Sequence, residues 1–297
     1  VIPLCIFHSQ NGVQHCDDGF ASAWVVNEYF KGAVDFYPGV YGLPPPDLAE
    51  RDLIIVDFSY PVEIVAEMMH RVNSMTFIDH HKTAAEVAAY LGASYPHATI
   101  SFDVSKCGAL LTWDHYFPGR EPPPFLKYIN DRDLFLHQLP GCREFSLGLR
   151  SWPQEFLTWS NIMQDLPALV RDGRPITRYY DRQCAMMATN AFKMTIGGVE
   201  VPVANCPLIF ASEVAGILAH GQPFGASFVV QQDRRCVFSL RSIPGEKNSR
   251  DVADIAKLYR GGGHPNAAGF TAPPGMVPWS EQAPPENRAT SMVSGDR

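Results

Sequence analysis

Three apolar runs in the first eighty residues share one grammar: a short stretch of buried-type residues that ends on ionisable ones. Val1-Ile-Pro-Leu-Cys-Ile-Phe7 leads to His8, Asp52-Leu-Ile-Ile-Val56 to Asp57, and Ser74-Met-Thr-Phe-Ile78 to Asp79-His80-His81. Unbroken runs of this length predict strands covered on both faces, since a half-exposed strand alternates instead. Between them the period changes. Phe20 to Phe30 is Ala-rich and apolar, and Ser59-Tyr60-Pro61 predicts the start of a helix with Ile64, Val65, Met68, Met69 and Val72 on one face. Strands alternating with helices predict an α/β fold with a parallel sheet, whose ligands bind outside the carboxyl ends of the strands. The three polar strand ends are expected to converge there.

Further on, residues 154–195 read mostly as helix, Phe156 to Leu169 and then Tyr179 to Phe192, interrupted at Asp172-Gly-Arg-Pro175. From Met194 the pattern shortens: Gly198 to Ala204, Ser227 to Val230 and Cys236 to Arg241 predict strands of a smaller sheet, with helices at Ser212 to His220 and Asp251 to Tyr259. After Phe270 the chain is Pro-rich and aperiodic, the composition of a disordered tail. The expected organisation is a domain over residues 1–150, a helical linker over 151–195, a second α/β domain over 196–272 and the tail over 273–297. A length of 297 residues agrees with two cores.

Composition narrows the function. No apolar run approaches the ~20 residues of a membrane span, so no membrane partner is expected. Seven cysteines without a C-x-x-C pair, and no signal-type segment, predict reduced thiols in a cytoplasm and argue against a zinc ribbon. A net charge of −7 disfavours wrapping of long polyanions. Between Asp233 and Arg260, however, seven bases (Arg234, Arg235, Arg241, Lys247, Arg250, Lys257, Arg260) face four acids, a local bias that suits a small anionic ligand.

The candidate chemistry lies in His8, Asp17, Asp18, Asp57, Asp79, His80, His81 and Asp131, at predicted strand ends or just after them. Burying such groups without partners costs several kcal/mol each, so they are expected to meet partners or metal. Carboxylates suit hard divalent ions, and added imidazoles shift the preference, so the mixed set points first to Mn²⁺, with Mg²⁺ or another divalent ion open. Two ions ~3.5–4 Å apart clamp the attacking and leaving oxygens of a phosphoryl centre. In Gly261-Gly-Gly-His-Pro-Asn-Ala-Ala-Gly269, three glycines before a histidine let backbone approach an anion closely.

Taken in order, these segments resemble the DHH/DHHA1 phosphoesterase family: His8 with Cys16-Asp-Asp-Gly19, Val56-Asp-Phe-Ser59, Ile78-Asp-His-His81, Tyr128-Ile-Asn-Asp-Arg-Asp133, Ser212-Glu213, Ser239-Leu-Arg-Ser242 and Gly261 to Gly269. The resemblance covers most of residues 4–271. It implies a parallel-sheet DHH domain joined by a helical linker to a smaller DHHA1 domain. It implies two ions, with Asp57 bridging them, His8 holding one, and Asp18, His80 and Asp131 holding the other; Asp133 is an alternative to Asp131. His81 would face the scissile phosphate and Asp79 would orient the histidines. Arg241, Gly261, Gly262, Gly263, His264 and Asn266 would bind the nucleotide and its phosphate. The expected activity is phosphodiester hydrolysis by a metal-bound hydroxide on short oligonucleotides, dinucleotides or related small phosphodiesters, a nuclease-type reaction. A homodimer is compatible with the sequence. Phosphoanhydride or phosphomonoester hydrolysis, and nucleotide binding with an impaired metal site, are the alternatives. This chain departs from the family pattern at Cys16, where a carboxylate is usual, and in the longer spacing from His8 to Asp18. The ion at His8 therefore has three alternative donors: the Cys16 thiolate, Asp17, or His15 in place of His8.

Overall fold

The computed structural model describes residues 2–48 and 50–272, so the tail expected after residue 272 lies outside it. Compact packing divides the chain into two units, with the division after Thr177.

The first unit contains β1 (Leu4–His8), α1 (Asp17–Phe30), β2 (Asp35–Gly39), β3 (Asp52–Val56), α2 (Val62–Met69), β4 (Ser74–Asp79), α3 (Ala85–Ser94) and β5 (Thr99–Phe102). It continues through α4 (Gly108–Tyr116), α5 (Pro124–Asp133), α6 (Cys142–Leu149), α7 (Phe156–Ile162) and the beginning of α8 (Leu166–Ala188). The five strands pair in the order β2-β1-β3-β4-β5, all in parallel. Alternate side chains serve opposite faces. Cys5, Phe7, Ile54, Val56 and Ile78 join the core under α1, α4 and α5, while Leu4, Ile6, Leu53, Ile55 and Phe77 pack toward α2 and α3. Cover on both faces is the physical reason these strands read as unbroken apolar runs. Register then sets the site, because Phe7 lies opposite Val56 and Val56 opposite Ile78. His8, Asp57 and Asp79 therefore emerge in one row at the carboxyl edge. The order reverses between β1 and β3, the switch point where open α/β sheets leave a crevice.

The second unit holds the end of α8, then β6 (Phe192–Ile196), β7 (Val199–Asn205), α9 (Leu208–Ala219), β8 (Gly225–Val230), β9 (Cys236–Arg241), α10 (Val252–Lys257), β10 (Gly262–His264) and β11 (Ala267–Ala272). Its sheet runs β10-β11-β9-β8-β7-β6, with β7–β8 parallel and the other pairs antiparallel. Val201, Val203, Phe228, Phe238 and Phe270 form its core with Val252 and Ala256 of α10.

Several expected elements change. The interruption at Asp172-Gly-Arg-Pro175 lies inside the continuous α8. Gly173 is there for contact: a Cβ would stand 1.9 Å from the Glu144 carbonyl oxygen, so only glycine lets α8 pass α6 this closely. Phe192, read as a helix end, begins a strand. The glycine-rich segment, for which no strand is predicted, forms the β10–β11 hairpin. The acidic segment at Asp131 lies on α5, not after a strand. No described helix is long and apolar enough to cross a membrane.

Candidate metal centre

Five elements bring ionisable side chains to the carboxyl edge of the first sheet. β1 supplies His8, β3 leads to Asp57, and β4 ends in Asp79 ahead of His80 and His81. The first turn of α1 supplies Asp18 next to Cys16, and the last turn of α5 supplies Asp133. Asp57 adopts a left-handed backbone (φ 53°), a conformation that costs an L-residue about 1–2 kcal/mol and turns the chain sharply as it leaves the strand. Its methylene packs on Gly108, where a Cβ would fall 2.7 Å away.

Three donor groups overlap, and one is Asp57, Asp79, His80 and His81. The other two share no residue: His8, Cys16 and Asp57 form one; Asp18, His80 and Asp133 form the other, with donor atoms in each lying within 4.8 Å of one another. Asp57 joins them: its Oδ2 lies 3.6 Å from His8 Nδ1 and its Oδ1 3.2 Å from His80 Nε2. His80 Nε2 is also 3.6 Å from Asp18 Oδ2 and 3.5 Å from Asp133 Oδ2. His8 Nδ1, both Asp57 oxygens and His80 Nε2 are buried without a hydrogen-bond partner. Such orphaned atoms are rare in folded proteins, and here they converge.

The electrostatics point the same way. Burial, then Asp57 and Asp133, push the Asp18 carboxyl well above its ordinary range. Burial, then His80 in opposition and Asp57 in support, leave Asp133 raised to about 6. Burial pushes Asp57 upward, but His8, His80 and His81 outweigh it and hold that carboxyl low. The Cys16 thiol is pushed up by burial and by Asp57, Asp133 and Asp18. Three carboxylates and a thiol thus crowd around two imidazoles, a donor set that fits divalent cations.

The surrounding groups fix the donors. Asp79 Oδ1 accepts from the backbone N–H of His80 (2.7 Å) and His81 (3.0 Å), and pairs with His81 Nδ1 at 2.7 Å. It therefore orients the His81 ring directly and the His80 ring through the turn. Burial lowers the His81 pKa, but Asp79 and Asp57 outweigh it and raise it to about 9. Asp18 accepts from the N–H groups of Gly108 (2.7 Å) and Ala109 (2.8 Å), buried first-turn donors of α4 that have no acceptor within the helix. Asn130 of α5 accepts from Cys107 N at 2.9 Å and holds the same helix start.

The alternative positions differ in their surroundings. Asp133, not Asp131, faces His80. Asp131 is buried beneath the loop after α5, where its carboxylate accepts from Gln138 N (2.8 Å) and Leu139 N (3.2 Å). Helical spacing carries the missed signal: Phe125, Ile129 and Asp133 recur every four residues, and the first two are core side chains. Asp17 pairs with Arg150 at 2.7 Å, outside both donor groups. His15 meets Ser9 Oγ at 3.0 Å and stacks on Phe20, so it does not take the place of His8. Cys16 does join His8 and Asp57.

These assignments separate two variants. Asp131→Ala strips the acceptor from two loop N–H groups and is expected to cost about 1–3 kcal/mol of stability while metal binding persists. Asp133→Ala is expected to weaken metal binding at least tenfold with a smaller loss of stability. Thermal unfolding and metal titration of both variants check this; the reverse pattern returns the ligand role to Asp131.

In the second unit, Arg241 ends β9 opposite Ala267, and its Nε donates to Ser212 Oγ at 3.1 Å. Asn266 Nδ2 donates to Ser242 Oγ at 3.0 Å, while Gly262, Gly263 and His264 form the strand next to β11. The expected nucleotide-binding residues thus gather at neighbouring positions of one sheet. Gly261 and Gly263 are required by packing, since a Cβ would meet Gly269 O at 2.2 Å or Ala267 O at 2.5 Å. At Gly262 nothing lies within 4 Å, so packing does not demand glycine there.

No protein-family model matches the chain. A curated relative, the uncharacterized protein R106 of Acanthamoeba polyphaga mimivirus, is 26% identical over 310 aligned residues, covering 90% of this chain and 68% of that protein. Among solved structures, the DHH domain of a member of a family of ribosomal proteins superposes with a TM-score of 0.50 at 11% identity, over 91% of this chain and 82% of that one. A pGpG-specific phosphodiesterase, PggH of Vibrio cholerae, overlaps with a TM-score of 0.47 at 13% identity (92% and 94% covered). Exonuclease RecJ bound to manganese overlaps at 0.46 and 15% (91% and 85% covered). This chain therefore shares the fold of a DHH domain, and the series of motifs that resembles that family runs along it in order.

Proposed function

We propose that the protein is a divalent-metal-dependent phosphodiesterase that hydrolyses short oligonucleotides, dinucleotides or related small phosphodiesters. The observation that carries this reading is the convergence of unpartnered, buried His8 Nδ1, Asp57 Oδ1 and Oδ2, and His80 Nε2 beside Asp18 and Asp133. His8, Cys16 and Asp57 would hold one cation, and Asp57, Asp18, His80 and Asp133 the other. When bound, such ions supply a water activated near neutral pH and charge neutralisation at phosphorus.

The protein's own groups do the rest. Asp79 holds His81 at Nδ1, and Nε2 is the proposed substrate-facing atom. A positioned imidazole N–H stabilises charge as it develops on a phosphate oxygen. Arg241, Gly262, His264 and Asn266 are proposed to bind the anionic nucleotide, in line with the basic excess around them. Manganese is the first candidate ion. The Cys16 sulfur beside His8 shifts that half of the centre toward softer ions such as Zn²⁺ or Fe²⁺, which makes metal identity an experimental variable.

The test is turnover by chelator-stripped protein with each ion, against dinucleotides, short RNA and DNA, cyclic dinucleotides, phosphoadenosine phosphate and pyrophosphate. Metal-stimulated release of nucleotides from a short phosphodiester is the expected outcome. Cleavage of pyrophosphate alone would make the protein a phosphoanhydride hydrolase. Nucleotide binding without hydrolysis of any substrate would make it a binding module.

A further inference from the structure

One aromatic side chain at the rim of this centre has no part in the metal-binding scheme. Tyr41 follows β2, whose last residue, Gly39, lies opposite His8. The loop therefore leaves the sheet at the same edge as the metal donors. The Tyr41 ring meets the His8 imidazole edge-on, with centroids 5.2 Å apart, and leans on the Phe58 ring at 4.8 Å and 37°. Phe58 directly follows Asp57, is fully buried, and also stacks beneath His8 at 27°. Gly39 makes room for it, since a Cβ there would lie 2.9 Å from the Phe58 ring. One buried aromatic thus carries both a metal donor and Tyr41.

Tyr41 is nevertheless 51% exposed. A large ring that stays half exposed although Phe58 and His8 brace it gains little stability from its position. Phe58 and His8 limit its rotation, so it forms a pre-organised platform beside the proposed phosphate-binding centre. Nucleobases are the flat groups that flank the phosphate of a short oligonucleotide, and they stack on aromatic side chains with little regard to sequence.

We propose that Tyr41 is a base-stacking residue that positions the nucleoside next to the scissile phosphate. This rests on the phosphodiesterase reading given above. The ring, not the phenol hydroxyl, carries the interaction, and the base adjoining the phosphate on the His8 side is the one that is stacked.

The test combines variants with abasic substrates. Dissociation constants and turnover are measured for metal-loaded wild type, Tyr41→Phe and Tyr41→Ala, using a dinucleotide and its two singly abasic analogues. Tyr41→Ala is expected to weaken binding and kcat/KM for the dinucleotide by roughly 5- to 100-fold, the range of a lost base–aromatic stack. Tyr41→Phe is expected to retain the wild-type values. The loss should disappear with one analogue, abasic at the stacked position, and persist with the other. Equal losses on all three substrates, loss of bound metal in Tyr41→Ala, or equal losses in Tyr41→Phe and Tyr41→Ala would overturn the proposal. If wild type binds the dinucleotide but does not hydrolyse it, the phosphodiesterase reading fails while the dissociation constants still decide the stacking role.

Discussion

Replacing Asp57 with Ala is expected to remove metal from both donor groups at once and to lower phosphodiester hydrolysis by about a thousandfold or more, some 4 kcal/mol of barrier. Asp57 is the group that the two halves of the centre share: one oxygen faces His8 and the other faces His80. Asp18 and Asp133 both lie on the His80 side, and Asp79 engages the His80–His81 turn through Oδ1 while its Oδ2 is buried without a hydrogen-bond partner. Loss of either flanking donor, as in His8→Ala, should spare more metal than loss of Asp57. Metal content after dialysis, measured with activity, checks the ranking. Retention of full metal and full activity in Asp57→Ala would remove the bridge from the account.

The second large effect concerns a residue without donor atoms in its side chain. Gly108→Ala is expected to destabilise the protein by about 1–3 kcal/mol through overpacking and to reduce activity by up to ~100-fold, the effect of ångström-scale misplacement at a reacting centre. The added methyl would lie 2.7 Å from Asp57 Cβ and 3.0 Å from its Oδ1, while the Gly108 N–H must still reach Asp18. Moving α4 away to relieve the clash breaks that hydrogen bond, and holding it in place pushes Asp57 off His80. Gly216→Ala is the control. Gly216 lies in α9 with open space around it, so the change should leave turnover intact and favour the helix by roughly 0.5–1 kcal/mol. Thermal unfolding and kcat/KM of both variants test the contrast; a Gly108→Ala protein as active as wild type would show that α4 does not set the geometry.

Gly108 also shows where sequence reading stops. The polar ends of β1, β3 and β4 are legible because a parallel strand buried on both faces reads as an apolar run, and an ionisable residue at its end stands out. Nothing in Cys107-Gly-Ala-Leu distinguishes a glycine that must admit Asp57 from an ordinary helix start. β2 escapes for a different reason: as an edge strand with Pro38 in it and partly exposed side chains, it lacks the buried pattern. The β10–β11 hairpin was hidden by its glycines, which mimic a ligand loop although Gly261 and Gly263 answer to strand packing. Asp131 and Asp133 are two residues apart on one helix and so face different ways. The motif names the segment, and only the helix face chooses between them. Tyr41 carries no sequence signal at all, since its role depends on Phe58 and His8 meeting it in space.

The His8, Cys16, Asp57 group and the Asp18, His80, Asp133 group are proposed to be two halves of one metal centre. Titration of chelator-stripped protein with Mn²⁺, read as equivalents tightly bound per chain, tests it most directly. Two equivalents are expected for wild type, one for Asp133→Ala under conditions that saturate the His8 side, and close to none for Asp57→Ala. Wild-type protein that binds no more Mn²⁺, or any other divalent ion, than Asp57→Ala would contradict it.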